Sequence, residues 1–351
     1  SALVRIVLAA IVELGNDEVY YWTYALLPQW SYFDHPPMVG WLIHLTTFGL
    51  SFNTELFVRL AAIIAGTINT WLIFKIGTKL KDELTGWYAS LFYTASIYGF
   101  IITGIFILPD SPQSVFWLAA LWLMLHVISA EIITGKENLI MNLIGILIGL
   151  GMLSKYTTVF LWLGFLLTVA LTNRRWLRSI WFYAANIWVL ILLSPVIFWN
   201  FSNNFISFLF HENRLDQGMA LFDTGTFFTE LGGEILYNKP VNYFLILIAV
   251  VFVIRHYKEH KDNKVFLLIA VSLPLIITFL VIALFQNTLP HWNAMGITSL
   301  IPFAALFIRH KVLHEKLMPW SVIASLSVIA VILSVDIIQI NTGFISLKQK
   351  S

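Results

Sequence analysis

The sequence predicts an all-α protein that crosses a membrane many times. Of its 351 residues, 59% are hydrophobic and only 11% are charged. Ordinary soluble domains carry about 45–50% apolar and about 25% charged residues. The apolar residues fall in long runs bounded by charge, many of them near the roughly 20 residues that one membrane helix needs. The runs lack period-two alternation, which argues against a barrel of strands. The same composition excludes a soluble domain, a disordered chain and a nucleic-acid binder. The net charge of +2 calls for no polyanionic partner. Cysteine is absent, which removes disulfides, thiolate catalysis and cysteine metal sites. Fourteen Trp, 12 Tyr and 28 Phe suit interfacial belts and a wide apolar groove.

The chain opens Ser1-Ala2-Leu3, without Met. The run from Ala2 to Leu14 is interrupted by Arg5, is too short to span, and has no convincing signal-peptide pattern. It reads as a first membrane helix whose beginning precedes this chain. Further spans are expected at 54–74, 85–108, 112–130, 138–153, 157–172, 179–199, 241–254, 265–285, 293–308 and 319–335, about eleven in all with the first. Alternate loops collect fourteen of the 21 Lys and Arg, among them Lys75, Lys79, Arg174, Arg175, Arg255 and Lys311. The opposite loops hold six: Arg59, Lys155, Arg214, Lys239, Lys348 and Lys350. The fourteen mark the cytoplasmic side. Two longer outer segments, 15–53 and 200–240, are rich in aromatics, His, Asp and Glu. Loops that depart from the shortest connection often carry function, so these are expected to form the active face. The whole of 1–351 reads as a single transmembrane domain, without a soluble C-terminal domain after the last span.

Six constellations lie on that outer face. They are Asp17-Glu18, Asp34-His35 before Pro36-Pro37, Asp110 between Pro109 and Pro112, Lys155-Tyr156 in a tight turn, His211 with Arg214, and His291-Trp292. Each alone has an ordinary reading. Adjacent carboxylates after a span are often solvated charge, and a lone Lys in a turn is often a snorkelling anchor. Asp110 suits a helix cap, and His291-Trp292 suits an interfacial belt. Together, on one face and in turns too short to be solvated tails, they point to chemistry. A carboxylate can take a proton from an acceptor hydroxyl. Lys and Arg can neutralise a phosphate leaving group. An apolar groove can hold a lipid tail. Transfer from a lipid phosphate fits all three.

Asp17-Glu18-Val19-Tyr20-Tyr21-Trp22 and Tyr32-Phe33-Asp34-His35-Pro36-Pro37-Met38-Val39 resemble the first outer loop of bacterial protein O-mannosyltransferase-like proteins. These are GT-C fold glycosyltransferases that use polyprenyl-phosphate sugars, and they include the lipid A aminoarabinose and galacturonosyl transferases. The resemblance continues through Pro109-Asp110, Leu153–Thr157, Pro195–Asn200 and Pro290-His291-Trp292. It implies a GT-C-type bundle with helical outer loops. It implies Asp17 as base or acceptor-orienting group with Glu18 beside it, and Asp110 as the second acid. The donor phosphate would meet His35, Lys155, Tyr156 and Arg214, and the sugar or acceptor would meet Asp34, His291 and Trp292. A divalent metal near Asp34 and His211 or His291 is the one cofactor it admits. The implied partners are a polyprenyl-phosphate-linked sugar, a glycolipid, glycan or protein acceptor, and membrane lipids. The implied place is a bacterial inner membrane with the active face outside. The reading is therefore an inverting glycosyltransferase acting on a lipid A-like glycolipid or another envelope glycan. The alternatives are a protein O-glycosyltransferase and a transporter or flippase of a lipid-linked solute. The lack of an internal repeat, and charges gathered at one face, argue against the transporter.

Overall fold

Long apolar runs leave the backbone no partner but itself, so they fold as helices. The computed structural model describes residues 2–210, 224–260, 262–316 and 318–342, and among these it contains no strand. The helices are α1 (Ala2–Ile11), α2 (Asn16–Leu26), α3 (Met38–Thr46), α4 (Glu55–Leu80), α5 (Glu83–Ala95), α6 (Asp110–Ile128) and α7 (Gly135–Ser154). They continue with α8 (Val159–Thr172), α9 (Ile180–Ser202), α10 (Thr224–Asn238), α11 (Pro240–His260), α12 (Asn263–Ile282), α13 (Ala294–His314) and α14 (Trp320–Thr342).

Six of these helices, α4, α6, α7, α9, α12 and α13, are long and apolar enough to cross a membrane. A seventh crossing results if α10 and α11, which meet at 99°, are one broken span. The expected eleven are not reached by this measure among the described residues. Helix α1, the segment 156–172 and the start of α14 are apolar but shorter. The run expected as one span over 85–108 is broken. Helix α5 stops at Ala95, Ser96 is extended, and a π-helical turn follows at Tyr98–Ile102. Ser96 causes the break locally. Its hydroxyl donates to Tyr93 O and accepts from Gly99 N, both at 2.9 Å, so the side chain replaces helix partners.

Small residues set the helix spacing. A Cβ on Gly145 of α7 would lie 2.1 Å from the Ala185 carbonyl of α9, so only glycine permits that approach. Buried Trp117 of α6 donates through Nε1 to Ser299 Oγ of α13 at 2.8 Å. At the end of the bundle opposite the candidate site, Arg309 Nε donates to Asp82 Oδ2 at 2.6 Å.

The first outer segment is helical, as expected. Helices α2 and α3 pack on α4 through Tyr21, Tyr24, Val39, Ile43, Val58 and Ala62. Pro36 and Pro37 end the extended stretch, and α3 starts at Met38 with Pro37 at its N-cap, where a missing N–H costs nothing.

Candidate active site

Helix α2 begins just past α1 and carries Asp17 and Glu18 in its first turn, where negative charge favours the helix N-terminus. Adjacent residues on a helix point about 100° apart, and here they separate completely. Glu18 turns inward. Its carboxylate takes Arg59 Nε at 2.7 Å and Arg59 Nη2 at 2.5 Å. It also accepts from Gly15 N at 3.0 Å and Ile107 N at 3.1 Å. Arg59 in turn donates to the carbonyls of Ala9, Val12 and Glu13. The pair thus knits α1, α2, α4 and the turn before α6, and the Glu18 oxygens are filled by these bonds. Asp17 is exposed and has no hydrogen-bond or ion-pair partner among the described residues.

Asp110 is buried at the start of α6. Lys155, the C-cap of α7, has extended backbone and leaves the helix axis. Its Nζ reaches both Asp110 oxygens at 2.9 Å. Tyr98, placed by the π-helical turn, donates to Asp110 Oδ1 at 2.9 Å. The structure therefore brings Lys155 and Asp110 together across 45 residues, which the two separate roles inferred from sequence did not include. A lysine has three N–H donors, so one remains for another anion.

His291 comes in from the turn between α12 and α13. Burial holds its imidazole down, to about 4, against the opposing pull of Asp110; Lys155 lowers it further and Asp17 raises it. It is neutral at pH 7. A depressed folded value means the folded form binds fewer protons than the unfolded form between about pH 6.5 and about pH 4. Stability from this site is present above pH 6.5 and is lost as pH falls through that window. Wild type should therefore lose more thermal stability than His291→Gln between pH 7.5 and 4.5; parallel curves would reject this.

Tyr237 of α10, absent from the sequence reading, stands beside His291 with ring centroids 6.3 Å apart. Burial first, then the charges of Asp110 and Asp17, keep its phenol protonated. Tyr21 of α2 is held up by burial and then by Asp34, Asp110 and Asp17. Asp17, Asp110, Lys155 and His291 thus share one field, with two phenols as neutral donors.

Asp34 forms a second centre. It accepts from the hydroxyls of Tyr24 and, at 2.9 Å, Tyr20, and His35 Nε2 lies 3.9 Å from it. His35 meets the edge of Tyr21 at 5.5 Å. Tyr24 stacks on Tyr32 at 3.7 Å, which fixes the phenol under the carboxylate. Tyr156 feels the charge of Asp34 and stands beside Ser31 and Ser207. Trp292 packs on Phe279 at 5.7 Å. His211 and Arg214 lie outside the described residues. Among those described, no three His, Asp or Glu side chains converge on one point. Asp34 is surrounded by phenols, and His211, its expected partner in holding a metal, lies outside the described residues.

Residues 34–199 match the family described as dolichyl-phosphate-mannose-protein mannosyltransferase. The match covers just under half of the chain. The matched segment holds Asp34, His35, Asp110, Lys155 and Tyr156. The fold agrees. The chain is similar to ArnT from Cupriavidus metallidurans in the apo state, with a TM-score of 0.71 and 16% identity over 94% of this chain and 61% of that one. ArnT bound to undecaprenyl phosphate gives 0.71 and 16% over 94% and 62%. The archaeal oligosaccharyltransferase AglB from Archaeoglobus fulgidus, in complex with an inhibitory peptide and a dolichol-phosphate, gives 0.59 and 13% over 93% and 53%. The chain thus has the GT-C fold of ArnT, as the sequence led us to expect. The chain spans about 61% of the length of ArnT. No curated protein sequence matches it significantly.

Three groups of the site were missed in the sequence. Arg59 reads there as one more outer cation, Tyr98 lies inside an expected span, and Tyr237 is one aromatic among many. Each acquires its place only through a partner 12 or more residues away.

Proposed function

We propose that the protein is an inverting glycosyltransferase. It moves a sugar from a polyprenyl-phosphate donor to a hydroxyl of a glycolipid or envelope glycan at the extracytoplasmic face of a bacterial inner membrane. The observation that carries this reading is Asp17, exposed and without a partner among the described residues, in one field with the buried Asp110–Lys155 pair and neutral His291.

Asp17 takes the proton of the acceptor hydroxyl. The acceptor oxygen attacks the anomeric carbon on the face opposite the leaving group, forming the new C–O bond as the bond to the phosphate oxygen breaks. The electron pair leaves with the lipid phosphate. The third N–H of Lys155 and the phenols of Tyr237 and Tyr156 donate to that developing charge. Asp110 holds Lys155 in place, and Glu18 positions the helix that carries Asp17. The Tyr20–Asp34 face receives sugar hydroxyls. A protein Ser or Thr hydroxyl as acceptor is the second reading, favoured by the description of the family matched over residues 34–199.

The protein in nanodiscs, given a panel of labelled polyprenyl-phosphate sugars, should release sugar only when a membrane glycolipid acceptor is present. Release with an unstructured Ser/Thr-rich peptide instead would select the second reading. Label that crosses the bilayer on its intact lipid, with no sugar released, would make the protein a transporter.

Removing both charges of the buried pair separates donor contact from folding, because no lone charge is left behind. Lys155→Gln with Asp110→Asn is expected to raise the donor KM by about 10-fold or more, the worth of one charge-assisted hydrogen bond. An unchanged donor KM would reduce the pair to a structural tie.

A further inference from the structure

Helix α10 carries two carboxyls, Glu230 and Glu234, one turn apart on the same face. They are 1% and 0% exposed. Buried carboxylates require partners. Glu234 has two, both neutral: the Tyr243 hydroxyl donates to Oε2 at 3.0 Å, and Asn293 Nδ2 donates to Oε1. Glu230 has none, since neither of its oxygens makes a hydrogen bond.

Two more acceptors around the pair are also unmet. The Thr288 hydroxyl faces the Glu230 carboxyl. Asn293 is fully buried, and while its amide nitrogen is spent on Glu234 its Oδ1 has no partner. Among the described residues, no Lys, Arg or His pairs with either glutamate.

The unmet atoms are all oxygens, and of these only the Thr288 hydroxyl can also donate. A proton on Glu230 can serve the carboxyl and Thr288 but leaves Asn293 Oδ1 orphaned. One cation meets several at once and supplies the missing charge. We propose that Glu230, Glu234, Thr288 and Asn293 bind a divalent cation of the calcium type. Two carboxylates with hydroxyl and amide oxygens are hard ligands. They come from a helix and an irregular turn, a geometry that Ca²⁺ tolerates and Mg²⁺, with its strict octahedron, does not. Zinc would call for nitrogen or sulfur ligands or a third carboxylate, and none converges there.

The site also has a structural consequence. Helix α10 touches the outer turn through Gly233, where a Cβ would lie 2.1 Å from Pro290 Cγ. A cation shared by Glu230, Glu234, Thr288 and Asn293 fastens α10 to the turn that carries His291 and Trp292. The site does not depend on the transfer reaction, so it stands or fails separately from it.

The test uses the full chain in nanodiscs, stripped with EDTA and then titrated with Ca²⁺ or Mg²⁺ alone. Millimolar Ca²⁺ should raise the unfolding temperature of wild type by about 5 °C, and Mg²⁺ by less. Tb³⁺ should luminesce on excitation of the aromatics, with Tyr243 in contact with Glu234, and Ca²⁺ should quench that signal. Glu230→Gln should be at least as stable as wild type in EDTA, because its lone charge is gone, and should lose both responses. Thr288→Val should weaken both. Equal Ca²⁺ stabilisation of wild type and Glu230→Gln would overturn the site. So would a wild type that is dark with Tb³⁺ and is stabilised only by acidification, since the pair then holds a proton.

Discussion

Asp17→Asn should lower sugar transfer by about 10³-fold, the usual worth of a positioned general base, and leave the unfolding temperature and donor binding unchanged. The reason is geometric. Asp17 is exposed and makes no hydrogen bond or ion pair among the described residues, so no fold contact depends on its charge. Asparagine keeps the size and the helix N-terminal preference but cannot accept the proton. Turnover is read as acceptor-dependent release of label, and donor binding by quenching with the unlabelled lipid. Normal turnover in this variant would remove Asp17 from the chemistry.

The neighbouring change should have the opposite signature. Glu18→Gln leaves the Arg59 guanidinium, 0% exposed, without its counter-ion. Breaking one side of a buried ion pair costs about 3–5 kcal/mol, so the variant should be poorly folded in detergent and inactive for that reason. Glu18→Leu with Arg59→Met removes both charges and should recover part of the lost stability, read as the monodisperse fraction and the unfolding temperature. A well-folded Glu18→Gln that has lost turnover would instead return Glu18 to the reaction. The pair of predictions separates two carboxylates that are adjacent in the chain and alike in composition.

How much of this was legible in the sequence depends on range. The apolar runs announced the bundle, because hydrophobicity and length are local and a membrane leaves the backbone few alternatives. That Asp17, Asp34, Asp110, Lys155 and His291 stand at the ends of helices or between them could be read from their places between runs. The resemblance over the first outer loop and through Lys155 anticipated the family that residues 34–199 match. The break at Ser96 was not legible. The run 85–108 carries no charge, and the helix breaks where the Ser96 hydroxyl bonds Tyr93 O and Gly99 N. The engagement of Lys155 with Asp110 was not legible either, since it joins the ends of two helices 45 residues apart.

Taken alone, the sequence determined the solvent in which this protein lives, its helical class, the end of the bundle where its charges gather and the residue types available for chemistry. These depend on composition and on runs of a single segment. The tertiary structure decided which of those charges are used up in holding the fold. It turned Glu18 into a tie for Arg59 and left Asp17 without a partner among the described residues, locked Lys155 onto Asp110, neutralised His291 by burial, brought Tyr237 beside His291, and set the helix of Glu230 and Glu234 against the turn that carries His291. A charge acquires its role from its desolvation and its partners, and those partners come from helices far apart in the chain.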